Sequence, residues 1–139
     1  IAPLVKQERC KFFGAKVELS GANIAEAKIR ADRYVQSEGM TYIHGFDGLD
    51  VIAGAGTLGL EILETVPQVD AIIVPVGGAG LVAGLSLAVK SLAPHVKVIG
   101  VEPTFCPSYT AAMKAGVPTL VDAQETLGDG LAVPCIGTN

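Results

Sequence analysis

The stretch DAIIVPVGGAGLVAG at residues 70–84 restricts the fold more than any other part of the chain. Ala71, Ile72, Ile73, Val74 and Val76 make a short continuous apolar run, the pattern of a parallel strand covered on both faces. The run is too short for a helix and stops at Gly77, Gly78, Ala79 and Gly80. From Leu81 to Ala93 only Ser86, Lys90 and Ser91 are polar, which predicts a helix buried nearly all round. A glycine turn that delivers a strand into a helix N-terminus leaves several backbone N–H groups without partners, and the helix dipole adds partial positive charge there. Such a turn is an anion site, most often for phosphate. A tight turn with no ligand is the plainer reading, but it rarely needs more than one glycine, and here three of four residues are glycine.

The flanking segments extend this unit. Residues 96–101 read as a second buried strand, giving a strand–helix–strand unit whose crossover should be right-handed. The class is therefore α/β. Residues 1–14 carry apolar positions at helical spacing and close on Gly14. Ala15, Val17 and Leu19 alternate with Lys16 and Glu18, the period of a half-exposed strand. Asn23 with Glu26 resembles a capping box before the helical stripe Ile24, Ala27, Ala31, Tyr34 and Val35, which Gly39 ends. Residues 40–43 read as another short strand. Asp47 and Asp50 are candidate N-caps for a helix that runs to Thr65. Gly54, Gly56 and Gly59 lie in its interior, where each costs roughly 1 kcal/mol against alanine. They suggest a face approached closely by another backbone or by a ligand, with plain helix packing the simpler cause. Pro107 should start a short helix that Gly116 ends. Residues 118–121 read as an edge strand and residues 129–133 as a loop or short strand.

Composition narrows the function classes. Half of the 139 residues are hydrophobic, 17% are charged, and the net charge is −4 with no cluster of Lys or Arg. Those features argue against nucleic acid or an anionic membrane as partner. No apolar stretch reaches transmembrane length. Cys10, Cys106 and Cys135 are odd in number and widely spaced, which suits packing thiols in a reducing, cytoplasmic compartment. The chain opens Ile-Ala-Pro-Leu without an initiator methionine, and reads as a piece of a longer protein.

Gly78, Gly80 and Gly84 after a strand resemble a dinucleotide fingerprint, with Glu102 near the place of a ribose-binding carboxylate; the spacing departs from that pattern by one residue. A P-loop is excluded because no Gly-Lys-Ser/Thr follows. Glu102 is also a candidate metal ligand beside Ser108, or simply a capping carboxylate before Pro103. His44 and His95 have no triad-like neighbours and read as structural or exposed.

The segments VDAIIVPVGGAGLVAG (69–84), IAGAGTLGLEIL (52–63), VKVIGVEP (96–103) and DGLAV (129–133) together resemble the fold type II pyridoxal-phosphate enzymes, in particular threonine/serine dehydratases and serine racemase. The resemblance implies a tryptophan synthase β-like architecture, a parallel sheet with helices on both faces, of which this chain is part. It implies that residues 1–47 belong to a small domain and residues 48–139 to a large cofactor domain. Gly77, Gly78, Ala79, Gly80 and Leu81 would hold the 5′-phosphate of pyridoxal phosphate. The Schiff-base lysine would lie outside this chain, so no catalytic residue is assigned within it. The implied reaction converts L-threonine or L-serine to a 2-oxo acid by loss of water and then ammonia, in a homo-oligomer. The chain departs from the family pattern at Ala79, where the phosphate loop usually has glycine, and at Ala55, where these dehydratases commonly have Gln. A methyl at residue 79 costs on the order of 1–2 kcal/mol if positive φ is needed. These departures motivate the alternative of a non-catalytic paralogue. Serine racemase-like members also carry a divalent-metal site; Glu102 matches it, whereas Ser108 stands where a second acid is expected.

Overall fold

In the computed structural model, which describes residues 2–22, 24–124 and 126–139, the chain separates into two units, Ile1–Ile43 and His44–Asn139. The first holds α1 (Leu4–Phe12) and α2 (Ile24–Glu38). Gly14 and Gly39 stand just beyond these helices with φ of +82° and +67°, the left-handed endings their sequence positions foretell. Glu26 accepts the N–H of Ala22 at 2.8 Å, as a capping carboxylate does, while Asn23, its expected partner, lies outside the described residues.

The strands expected at residues 15–19 and 40–43 do not form. A strand exists only where a second supplies its ladder, and neither segment has one among the described residues. Residues 15–19 are tethered to α2 instead, through Glu18, which accepts from Arg30 Nε and Tyr34 Oη.

The second unit contains α3 (Leu49–Thr65), β1 (Ala71–Pro75), α4 (Gly80–Leu92), β2 (Lys97–Val101) and α5 (Ser108–Ala115). β1 and β2 pair in parallel, with Ala71 opposite Lys97 and Pro75 opposite Val101. The main-chain bond from Val76 N to Val101 O, 2.8 Å, carries the pairing up to the glycine turn. Ile72, Val74 and Val76 pack with Val82, Leu85 and Val89 of α4 and with Val96 to form the core. Every buried residue among those described falls between Gly56 and Ala112.

Burial in this unit is one-sided, which corrects three expectations: β2, expected to be a buried strand, has only Val98 half-buried, with Ile99 46% and Val101 51% exposed. Along β1 Ile72 and Val74 are buried, whereas Ile73 is 71% exposed. On α4 the buried residues Val82, Leu85 and Val89 share one face, and Leu87 and Leu92 are exposed. An all-apolar segment announces that it can be covered on each side; the described residues cover only one.

α3 and α4 pack against each other through glycine. A Cβ added at Gly56 would sit 3.0 Å from the Gly84 carbonyl oxygen, and one at Gly59 would sit 3.1 Å from that of Leu85. Gly54 has nothing within 4 Å, so two of the three helix glycines serve the crossing and the third does not. Helix packing is the cause in this unit. Residues 118–121 form no strand, although Val121 N bonds to Pro134 O, and Asp129–Leu131 is a single 3₁₀ turn. No helix among the described residues is long and apolar enough to cross a membrane.

Candidate functional site

β1 enters the glycine turn and α4 leaves it, so the turn sits where the core packing of both elements fixes it. Ala79 is the residue before α4 and has φ +74° and ψ −5°. It is the only non-glycine residue with positive φ among those described. The strain conditional on that geometry is therefore present, on the order of 1–2 kcal/mol, and Ala79 packs against the core cluster.

Six consecutive main-chain N–H groups, those of Gly77, Gly78, Ala79, Gly80, Leu81 and Val82, donate to no acceptor among the described residues; the first amide of α4 to find one is Ala83, which bonds to Ala79 O at 2.9 Å. This is the orphan-donor set of a helix start, lengthened by the turn before it. The side chains cannot be enlarged at two of these positions. A Cβ at Gly78 would enter the Phe46 ring, and one at Gly80 would come within 2.9 Å of the Phe46 carbonyl carbon.

The turn opens on a cavity of about 320 Å³ whose other walls include Phe46, Val51, Ala55, Leu131 and Val133. None of its lining residues carries a charged or hydroxyl side chain. An anion held here by this chain is therefore held by main-chain N–H groups and the dipole of α4, inside a mostly apolar wall. That donor set fits a phosphate group.

The segment 44–47 runs beside the turn. His44 Nδ1 accepts from the N–H groups of Phe46 (3.2 Å) and Asp47 (3.0 Å), so the histidine closes a turn, as the structural reading expects. Asp47 does not cap α3. The N-cap is Gly48, without a side-chain bond, and Asp50 lies in the first turn. The Asp47 carboxylate instead accepts from the main chain of Thr138 and Asn139 and from their side chains. Burial alone would raise its pKa, but these hydrogen bonds outweigh it and lower the value to about 2. The competing attraction is evident: two adjacent N–H groups reward a carboxylate more than a helix start does.

Glu102 ends β2 and caps α5, accepting from Tyr109 N at 2.8 Å and Thr110 N at 2.9 Å. Both oxygens thus take part in holding the start of α5, the capping role that the sequence also offers for Glu102. Among the described residues no group of three His, Cys, Asp or Glu side chains is placed to hold a metal ion. Cys106 is a buried packing thiol whose pKa is pushed up by burial and by Glu102, whereas Cys10 is exposed and Cys135 half-buried. The expectation of core or near-core thiols thus fails for Cys10.

Phe46, the Asp47 carboxylate and residues 137–139 went unrecognised as parts of this region in the sequence. Ninety-one residues separate Asp47 from Thr138, and no local pattern marks a pairing at that distance.

A family model described as pyridoxal-phosphate dependent enzyme matches residues 1–139. The L-threonine ammonia-lyase of Thermotoga maritima is 45% identical over 132 residues, covering 95% of this chain and 33% of that protein. The biosynthetic L-threonine dehydratase of Pasteurella multocida is 44% identical over 135 residues, covering 97% and 26%. This chain therefore spans between a quarter and a third of those two relatives. Among solved structures, the processed threonine deaminase isoform 2 of Solanum lycopersicum superposes with a TM-score of 0.89 at 36% identity, over 97% of this chain and 39% of that one. Maize serine racemase superposes with a TM-score of 0.88 at 31% identity, over 96% and 42%.

Proposed function

The chain belongs to the pyridoxal-phosphate dependent enzyme family, and from that premise we propose that the main-chain amides of Gly77, Gly78, Ala79, Gly80 and Leu81 hold the 5′-phosphate of pyridoxal phosphate. The observation that carries the proposal is the run of six N–H groups without acceptors, at the foot of a helix and beside a cavity walled by apolar residues. When bound, the cofactor supplies an electron sink that stabilises negative charge at the Cα of an amino acid. This chain's own part is to bind and to orient. The amides neutralise a doubly charged group without a counter-ion side chain, Phe46 lies over Gly78, and Val51, Leu131 and Val133 keep water from the wall.

For the whole protein we propose dehydration of L-threonine or L-serine: β-elimination of water, then release of ammonia, leaving a 2-oxo acid. The names and identities of the two curated relatives support the L-threonine part of that reading. The reading extends to residues 1–47 as part of a small domain, residues 48–139 as part of the large cofactor domain, and a cytoplasmic homo-oligomer. Ala79 is compatible with it, because the residue already adopts the left-handed conformation the loop needs.

The test uses the full-length protein. Wild type should carry the absorbance of bound pyridoxal phosphate and form a 2-oxo acid from L-threonine or L-serine. Gly78→Asp places a side chain where the Phe46 ring already lies and a negative charge among the amides, and should abolish cofactor retention. Normal occupancy in that variant overturns the assignment of the loop.

A further inference from the structure

We propose that Asp47 is a positioning residue for the glycine loop: by fastening residues 137–139 beside Phe46, it holds the Gly78–Ala79 peptide in the orientation that keeps Ala79 left-handed. The inference rests on the cofactor reading above. Three consecutive residues form the fastening. Gly137 N donates to Gly78 O at 3.1 Å. Thr138 donates from its N–H (2.9 Å) and its hydroxyl (3.0 Å) to the Asp47 carboxylate. Asn139 donates its N–H to Asp47 Oδ1 at 3.0 Å and its side-chain amide to Asp47 O at 2.9 Å. On the far side of Asp47, Phe46 lies against Gly78 and Gly80 so closely that neither tolerates a Cβ. Residues 46–47, 78–80 and 137–139 thus close into one circuit.

The circuit matters because of peptide geometry. The Gly78 carbonyl and the Ala79 N–H share one rigid plane and point in opposite directions. Anchoring the carbonyl on Gly137 therefore fixes the direction of the Ala79 N–H. Rotating that plane by about half a turn would carry Ala79 out of the left-handed region, a departure that its methyl group favours by on the order of 1–2 kcal/mol. The same rotation would turn one of the phosphate-binding donors away. The structure thus sets a strained residue against a clasp that restrains it, and Asp47 is where the clasp is secured.

The experiment measures the dissociation constant of pyridoxal phosphate by titrating the apo form of the full-length protein, for wild type, Asp47→Asn, Ala79→Gly and the double variant. Asn keeps the shape but sets an N–H₂ group against donors. Asp47→Asn should bind roughly tenfold more weakly, the scale of one lost hydrogen bond to a charged group. Ala79→Gly removes the preference for the flipped plane, so the double variant should recover to within about threefold of wild type. A purely structural role for Asp47 would not be rescued by a change at residue 79. Val89→Ala, a core truncation in α4, should lower the melting temperature and leave the dissociation constant unchanged. If Asp47→Asn does not fold, Asn139→Ala removes only the side-chain amide, with its hydrogen bonds to Asp47 O and Oδ1, and should show about a threefold loss with the same rescue. Wild-type affinity in the Asp47 variant, or a double variant as weak as the single, overturns the clasp. Absence of cofactor binding by wild type overturns the cofactor reading beneath it.

Discussion

Gly84→Ala adds one methyl group at the closest point between α3 and α4. Its Cβ would lie 2.7 Å from Gly56 N and nearer still to Ile52 O. Both are main-chain atoms of α3, so no rotamer change can make room. Ordinary contact begins at about 3.4 Å, so the Gly56 N contact alone asks the two helices to part by roughly 0.7 Å and the nearer Ile52 O asks for about twice that; gaps of this size forfeit at least a quarter to a half of the dispersion well at each contact they open. The contacts of Gly56 with Gly84 O and of Gly59 with Leu85 O lie on the same seam and open with it. Overpacking of this kind costs about 3 kcal/mol or more. Replacing a helix-interior glycine returns about 1 kcal/mol of intrinsic helix preference, so the net destabilisation should be about 2 kcal/mol or more. Gly54→Ala is the matched control: the same exchange on α3, with nothing within 4 Å of the new methyl, should stabilise by about 0.5–1 kcal/mol. Equilibrium urea unfolding of the full-length protein, followed by far-UV circular dichroism, reads both as shifts in midpoint. A neutral or stabilising Gly84→Ala would refute the claim that main chain meets main chain at this crossing.

Three shorter expectations accompany it. Ala79→Gly relieves on the order of 1–2 kcal/mol of left-handed strain and loses about 0.5–1 kcal/mol to added freedom of the unfolded chain, so the melting temperature should rise by about 1–3 °C; a fall contradicts the strain. Glu102→Ala strips two donors at the start of α5 of their acceptor and should cost about 1–2 kcal/mol, with faster hydrogen exchange at the Tyr109 and Thr110 amides. The Asp47 carboxyl is held at about 2, below its ordinary value of 3.8, so its stabilisation is complete above about pH 4 and disappears as the pH falls through about 2. The stability gap between wild type and Asp47→Asn should accordingly narrow across that window, and a gap constant with pH would show that the charge is not what matters.

The sequence was most legible where one local rule acted alone. The apolar run before Gly77 announced β1, the glycines announced the anion turn, and Gly14, Gly39 and Gly116 each stand at a positive φ where a helix ends. Ala79 was legible as a conditional: a methyl where glycine suits better, strained if φ is positive, and φ is positive. Legibility failed where partners are distant. Alternation at Ala15, Val17 and Leu19 shows which residues suit a strand, but not whether a neighbour exists to complete it. Asp47 satisfied the local preference for a helix start, yet bonds to Thr138 and Asn139 prevailed, and no pattern near residue 47 encodes a contact with residue 138. The continuous hydrophobicity of β1 and α4 recorded total cover without saying which chain segments provide it.

The alternation along β1, with Ile72 and Val74 inward and Ile73 outward, has a practical corollary. A protein cut to residues 44–139 would present Ile73, Leu87 and Leu92 to solvent beside unpaired edges of a two-stranded ladder. Surfaces of that kind recruit other copies edge to edge and bind hydrophobic dyes. Work on this region is therefore better served by interior point variants in the long polypeptide than by excision, because an excised piece would self-associate before its affinity for any anion was measured.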